Sequence, residues 1–278
     1  MSSSGFHREQ HGEWGTMLRA FYTSATGMRA QELLIDTTAN NLANVNTSGF
    51  KRSQLDFADL MYAKIRPAGA EISAAQLAPT GLEIGSGVRA AGTTKIFTPG
   101  TLEETGNATD VAIEGPGFFR VVLDSGEERF TRDGAFRVNA AGNLVTTDGH
   151  MVDAGLRIPD DAAPSSVTIT PDGRVSAVVN GESLAAGNLQ IYTFVNPAGL
   201  SSEGGNLYSR TLASGEPMGG PPGMNGRGSL RQAFLERSNV EVVREMVALI
   251  TAQRAYEINS RAIRAGDEML SNTSQIVR

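Results

Sequence analysis

Residues 18–44 have the sequence LRAFYTSATGMRAQELLIDTTANNLAN, which contains no proline and a single glycine. A bulky apolar column recurs in it every seven residues: Phe21, Met28, Ile35 and Leu42. A second column of mostly small or polar residues lies three or four positions away: Leu18, Ala25, Glu32 and Ala39. This spacing predicts a helix from about Leu18 to Asn44 with a heptad seam along one side. Gly49 is placed to take the left-handed conformation that follows a helix end.

The C-terminal residues repeat this design, from about Val240 to Ile276. A strict seven-residue column is formed by Val242, Leu249, Tyr256, Ile263 and Leu270. A weaker column is formed by Met246, Gln253, Ser260 and Asp267. Ser238 is predicted as the helix N-cap, with Glu241 three residues later completing a capping box.

Glycine and proline separate the two arms from the middle of the chain. All 11 prolines lie between residues 67 and 222, and most of the 32 glycines lie between residues 54 and 230. Apolar runs at 111–113 and 118–123 favour strands, and turn dipeptides at 133–134, 148–149, 172–173 and 180–181 favour hairpins. The middle is therefore predicted to be a sandwich or barrel of antiparallel strands. Residues 63–92 lack periodicity and are predicted to be an extended loop.

The predicted fold class is α+β, with N- and C-terminal helices that pair as a coiled-coil-like layer and flank a mainly antiparallel β domain. The predicted segments are a non-native or disordered extension (1–16), an N-terminal helical arm (17–53), an extended segment (54–98), a β-rich domain (99–212), a Gly/Pro linker (213–230) and a C-terminal helical arm (231–278).

Composition argues against catalysis. The chain has no cysteine, only 3 histidines and a net charge of −6. The absence of cysteine excludes thiol chemistry, and three histidines provide few candidates for His-based catalysis or metal binding. The negative net charge gives no sign of a basic surface for nucleic acid. The glycines at 85 and 87 match a loose dinucleotide fingerprint, but a β-like stretch follows instead of the required helix. We therefore expect no enzyme, no catalytic residues, no cofactor and no metal, and no membrane span or secretory signal is evident.

The two seams admit two interpretations. An apolar stripe on a helix usually belongs to the domain's own core. Here the arms lie at opposite ends of the chain, and both seams carry polar groups that can fix register and partner at a cost in stability. These features favour self-assembly, in which the columns of both helices form the interface, although which column faces a neighbour stays open.

The stretch ANNLANVNTSGFKR (39–52) resembles the N-terminal signature of the bacterial flagellar rod and hook family. The stretches SNVE (238–241) and AQRAYEINS (252–260) resemble the C-terminal signature of the same family. The stretches VAIEGPGFF (111–119) and FTRDGAF (130–136) resemble the middle of its members. The family-motif residues are Asn40, Asn41, Asn44, Asn46, Gly49 and Phe50. Within the family, residues 62–89 are most similar to members of the distal rod, on the rod-specific residues Leu82, Gly85, Gly87 and Val88.

The resemblance implies a structural subunit of the distal rod, a rigid drive shaft that transmits torque from motor to hook across the periplasm. Its location would be the basal body, spanning peptidoglycan toward the outer membrane. The implied partners are further copies in a helical homopolymer, proximal rod proteins, the hook protein or hook-side junction, P-ring and L-ring proteins acting as a bushing, and the flagellar type III export apparatus. Alternatives are a proximal rod or hook subunit and a periplasmic wall-binding module. Since the resemblance starts at Met17, we expect Met17 to be the natural start.

Overall fold

The computed structural model describes residues 6–69, 71–73, 76–77, 79–153, 156–159, 166–179 and 182–276, with side chains given from residue 19 to 272 except 71–78. The chain divides into two compact units. The helical unit comprises residues up to 40, 54–93 and from 243 onward, and the β-rich unit comprises residues 41–53 and 94–242.

Within the described residues, two long helices and six strands begin or end in the helical unit. They are α1 (Phe6–Ala43), β1 (Ser53–Asp59), β2 (Ala63–Arg66), β3 (Glu71–Ser73), β4 (Gln76–Leu77), β5 (Leu82–Ile84), β6 (Val88–Lys95) and α2 (Val242–Ile276). The predicted helices are confirmed, and α1 ends one residue before the predicted end at Asn44. It begins at Phe6, well before the predicted start at Leu18, and residues 1–5 of the predicted extension lie outside the described residues.

The predicted N-cap of α2 is wrong. The helix begins at Val242, and the Ser238 hydroxyl instead accepts a 3.3 Å hydrogen bond from the Val240 backbone N–H. The side chain of Asn239 is engaged by residues 52, 96 and 98 in the β-rich unit, so the backbone turns into the helix only after it.

The described residues between 63 and 92 include paired strands, and the predicted loop is wrong. Strand β2 pairs antiparallel with β5, β3 pairs antiparallel with β4, and β1 pairs with β6. Lys64 and Glu83 are opposite each other in the β2–β5 ladder, with 3.9 Å between Nζ and Oε1. A two-stranded ladder with short strands carries too few alternating positions to stand out in sequence periodicity.

The β-rich unit is built from short strands. They are β7 (Leu102–Glu104), β8 (Val111–Glu114), β9 (Phe119–Val122), β10 (Glu128–Thr131), β11 (Arg137–Val138), β12 (Leu144–Val145), β13 (Met151–Val152), β14 (Val167–Ile169), β15 (Arg174–Val179), β16 (Glu182–Asn188), β17 (Ile191–Thr193), β18 (Ser201–Gly204), β19 (Leu207–Ser209), β20 (Met218–Gly220), β21 (Ser229–Gln232) and β22 (Phe234–Glu236).

A seven-stranded sheet has the order β11-β12-β13-β9-β10-β19-β18, and a three-stranded sheet has the order β14-β15-β16. The pairs β17–β20, β21–β8 and β22–β7 complete the unit. Every pair whose register is described here is antiparallel, as predicted. Strand β20 lies in the segment predicted as a linker.

The hairpin turns predicted at 148–149 and 172–173 are confirmed, because they join the paired strands β12–β13 and β14–β15. The turn predicted at 180–181 lies outside the described residues. The hairpin predicted at Asp133–Gly134 is wrong: β10 pairs with β9 and β19, whereas β11 pairs with β12. The Asp133 carboxylate accepts the Ala135 N–H, which turns the chain away from β10.

Two apolar clusters hold the β-rich unit together. The larger is aliphatic around Phe119 and Phe136, whose rings meet edge to face at 5.0 Å. The smaller is aromatic, and contains Phe118, Phe130 and Tyr208. Edge-to-face packing adds to the area burial that stabilises such clusters.

Candidate assembly surfaces and the junction between the arms

The bulky column of α1 contributes to the packing of α1 on α2 within the helical unit. Phe21 lies against α2 at Gly266, where an added Cβ would come within 2.8 Å of the ring. Gly27 lies against Asn259, with 3.0 Å between an added Cβ and Asn259 Nδ2. The higher-numbered α1 residue contacts the lower-numbered α2 residue, so the helices run antiparallel here. Small residues at these positions let the two helices approach closely.

The predicted seam residues divide between this packing and solvent. Those that are half-buried are Phe21, Met28, Ile35, Leu42, Leu249, Ile263 and Leu270. Those that are exposed are Ala25, Glu32, Ala39, Val242, Met246, Gln253 and Tyr256. The side chain of Leu18 lies outside the described residues. One column of each helix is therefore partly covered within the chain, and the rest is open to a neighbour.

A second apolar face runs along the first half of α2. Glu245 and Ala252 are each 1% exposed and mark the covered side. At 100° per residue, the opposite side carries the exposed residues Val243, Met246, Val247 and Ile250. We call these four residues the α2 stripe. The heptad columns missed three of them, although the i, i+3, i+4, i+7 spacing was present in the sequence.

Asn41, Asn44 and Gly49 of the family motif hold the chain that leaves α1 in place through hydrogen bonds. Asn41 and Ser53 exchange two 2.9 Å hydrogen bonds, from Asn41 Nδ2 to the Ser53 carbonyl and from the Ser53 N–H to Asn41 Oδ1. Asn44 Oδ1 accepts a 3.2 Å hydrogen bond from the Thr47 hydroxyl. Gly49 has φ +69°, as expected, and its N–H donates to the Glu236 carbonyl at 2.7 Å.

The remaining motif residues have separate positions. Asn46 accepts a 3.3 Å hydrogen bond from the guanidinium of Arg237. Phe50 is buried, and Lys95 Nζ lies 4.6 Å from its ring centroid. Asn40 is exposed near the end of α1.

A buried ionic cluster, not predicted from the sequence, joins the two arms at this point. Lys51 Nζ lies 2.6 Å from Glu236 Oε1, and Arg132 Nη1 lies 3.3 Å from Glu236 Oε2. The Lys51 and Glu236 side chains are 0% and 1% exposed. Glu236 Oε1 also accepts the Gly100 N–H at 2.8 Å, and Lys51 donates to the Thr98 carbonyl. We call this group the arm junction.

The arm junction holds two cations against one carboxylate. Burial lowers the pKa of Lys51 despite the attraction of Glu236, and it lowers the pKa of Arg132 in the same way. The backbone carbonyls of Ile113 and Gly115 accept hydrogen bonds from the Arg132 guanidinium, and they compensate part of the excess positive charge. The only sequence signal was the presence of Lys51, Arg132 and Glu236 within or next to the signature stretches.

Of the rod-specific residues, Gly87 and Val88 lie where the chain crosses α1. Gly87 has φ +111°, and an added Cβ would overlap Thr26 Oγ1. The Val88 N–H donates to the same hydroxyl at 3.5 Å. Gly85 faces the ring of Tyr62, which is 3.5 Å from an added Cβ. Leu82 is half-exposed on β5, so it is open to a neighbour.

Comparison with known proteins connects these features. Three family models match: the flagella basal body rod protein model at residues 21–51, the flagellar hook protein FlgE/F/G D1 domain at 112–177, and the flagellar basal body rod FlgEFG protein C-terminal model at 231–276. The flagellar basal-body rod protein FlgG of Borreliella burgdorferi is 44% identical, over 94% of this chain and 100% of its own length. The chain belongs to the FlgG family.

The FlgG proteins of Caulobacter vibrioides and Bacillus subtilis are 42% and 37% identical, over 93% and 94% of this chain. The FlgG-family chain is thus a structural, non-enzymatic subunit that assembles into the flagellar rod, and its location is the flagellar basal body. The first and last of the three models cover α1 from residue 21 and the whole of α2, and these helices carry the candidate assembly surfaces. None of the helices in the described part of the chain has a stretch long and apolar enough to cross a membrane.

Proposed function

We propose that this FlgG-family chain polymerises head to tail into the distal rod, as the shaft that transmits torque from the motor to the hook. The α2 stripe carries this proposal. Four apolar residues lie together on a helix whose other side is already covered, and such contiguous exposed apolar surface marks interaction sites. A contact between two different surfaces of one chain generates a helical polymer when its rotation does not close into a ring.

The β2–β5 ladder favours the distal rod over the hook. Strand alternation puts Leu82 and Ile84 on one face of β5, and both are at least 36% exposed. Ile65, at the irregularity of the paired strand β2, is 54% exposed. An apolar ladder of this kind offers a second contact to a neighbouring copy. Two contacts per neighbour stiffen a shaft, whereas a hook must bend.

The remaining partners follow from this place in the flagellum. The proximal rod proteins would lie at one end and the hook protein or hook-side junction at the other, with P-ring and L-ring proteins around the shaft as a bushing. Delivery would occur through the flagellar type III export apparatus. The absence of cysteine suits passage into an oxidising periplasm.

The test replaces an exposed valine of the α2 stripe. Val247 is 59% exposed, so Val247→Asp should leave the far-UV circular dichroism and urea unfolding of the purified chain unchanged. In cells that lack the endogenous copy, the same variant should give basal bodies without the distal rod and hook, and no motility. Burying a carboxylate in an apolar contact without a partner is costly.

The matched control is Val178→Asp, at a valine of β15 that is 44% exposed. It should retain complete basal bodies and motility. Normal rods with Val247→Asp would contradict the assembly role of the stripe, as would equal loss of rods with both variants.

A further inference from the structure

A groove in the helical unit lies between α1 and β6. It has a volume of about 340 Å³ and is lined by apolar side chains that include Leu33 and Val88. Tyr22 and Leu33 are 57% and 39% exposed, so the apolar wall is open to solvent. Two exposed basic residues, Arg29 and Arg89, also line it. The groove therefore suits a segment that is apolar and acidic at once. We call it the α1–β6 groove.

One segment of the helical unit has this character. Residues 56–62 have the sequence DFADLMY, with two carboxylates and no basic residue. Met61 is 88% exposed, Tyr62 52% and Phe57 40%. The two carboxylates are opposite in charge to Arg29 and Arg89, the two basic residues that line the groove, and equal them in number. Complementary charge of this kind fixes register and excludes wrong partners.

The segment does not fill the groove of its own copy. Leu60 lines that groove, and its N–H donates to the Gly87 carbonyl at 3.0 Å, which fixes the backbone at its edge. Met61, the next residue, is instead almost fully exposed. The apolar end of the segment is thus left for another copy.

We propose that residues 56–62 of one copy dock into the α1–β6 groove of the next copy, with Met61 and Tyr62 entering between α1 and β6. This inference rests on the proposed polymerisation and adds a specific contact to it. Each copy presents the segment on one surface and the groove on another. The contact is therefore heterologous, and it leaves a free groove at one end of the polymer and a free segment at the other.

The test exploits the absence of native cysteine. Met61→Cys and Leu33→Cys are produced as two separate single-cysteine chains and expressed together in cells lacking the endogenous copy. Basal bodies are isolated, treated with a short bismaleimide and analysed by denaturing electrophoresis. A covalent dimer can form only between two chains, so cross-linking within one copy gives no such band.

The matched control pairs Leu33→Cys with Met218→Cys, a methionine of β20 that is 48% exposed. The proposal expects a dimer with Met61→Cys that is several-fold more abundant than with Met218→Cys. A third sample, Met61→Cys alone, should give little dimer, because two Met61 side chains enter different grooves.

Two results overturn the docking contact while the rod function stands. The first is complete basal bodies without a 61–33 dimer, and the second is a dimer of equal abundance in the control pair. If the cysteine-free chain itself is absent from isolated basal bodies, the proposed function fails and the docking contact fails with it.

Discussion

Lys51 and Glu236, 185 positions apart in the chain, form a buried ion pair with 2.6 Å between Nζ and Oε1. Lys51 follows the end of α1 and Glu236 precedes the start of α2. The pair therefore fixes to each other, inside the β-rich unit, the two segments from which the helices depart. The Gly49 N–H adds a backbone bond to the Glu236 carbonyl at the same place.

The first prediction concerns the order of stability losses in the arm junction. Glu236→Gln leaves Lys51 and Arg132 as uncompensated buried cations, and breaking such a buried pair costs about 3–5 kcal/mol of unfolding free energy. Lys51→Met should lower the free energy of unfolding by less, because Glu236 keeps its ion pair with Arg132 and its hydrogen bond from the Gly100 N–H. Urea unfolding followed by circular dichroism measures both.

The control for this prediction is a partly exposed pair. Arg129 Nε lies 2.5 Å from Glu203 Oε2, but the Glu203 side chain is 39% exposed. Glu203→Gln should therefore cost at most about 1 kcal/mol. A Lys51→Met variant that loses as much stability as Glu236→Gln would show that the excess positive charge is not what makes the junction sensitive.

The second prediction separates strain from overlap at Gly49. A left-handed conformation at a non-glycine residue lowers the free energy of unfolding by about 1–3 kcal/mol. In Gly49→Ala the new Cβ would also lie 2.5 Å from the Asp133 backbone nitrogen, which cannot move away cheaply. Gly106 has nearly the same φ, +72°, with nothing within 4 Å of an added Cβ. Gly49→Ala should lower the melting temperature clearly more than Gly106→Ala, and equal shifts would contradict the close approach.

The features that the sequence predicted are those with a local cause. The seven-residue columns located both helices, because a long amphipathic repeat specifies a helix almost alone. The turn dipeptides at 148–149 and 172–173 located hairpins, because glycine there takes positive φ. The left-handed Gly49 had the same kind of local signal.

The features that the sequence did not predict depend on distant partners. Asp133–Gly134 has the composition of a hairpin turn, but the strand that follows it pairs with β12 instead of β10. Lys51 and Glu236 meet only through the tertiary fold. Apart from Met246, the residues of the α2 stripe lie outside both heptad columns, so the columns did not reveal it, and burial in the folded chain decides which face stays open.

The third prediction is a loss of stability at alkaline pH that arises from Tyr208. Its phenol is 2% exposed, and burial raises its pKa from 10.0 to about 12. Between these values the unfolded chain is ionised at this site while the folded chain is not, so rising pH favours unfolding. Below pH 10 the site has no effect, because both states are protonated.

The expected loss between pH 10 and 12 is about 2–3 kcal/mol of unfolding free energy from this one group. Urea unfolding at a series of pH values measures it, and Tyr208→Phe provides the reference. The other titrating groups are common to both proteins, so the difference between their pH profiles isolates Tyr208. Parallel profiles would contradict a raised pKa.

The last prediction concerns Gly87, where the chain crosses α1. Gly87→Ala introduces a Cβ that overlaps Thr26 Oγ1 and must hold φ +111°, where side chains are strained. The backbone next to Val88 should therefore lift from α1, exposing residues 60–90 to protease and reducing the number of complete rods. Limited proteolysis of the purified chain and counts of isolated basal bodies measure these two effects.

Gly92→Ala is the matched control, because an added Cβ in this part of β6 meets nothing within 4 Å. It should leave both measurements unchanged. Adding Thr26→Ala to Gly87→Ala removes the overlap but not the backbone strain, so it should restore protease resistance only in part. Full resistance in Gly87→Ala alone would mean that the chain can cross α1 without the glycine. The close approach would then have no role in holding the β2–β5 ladder in place.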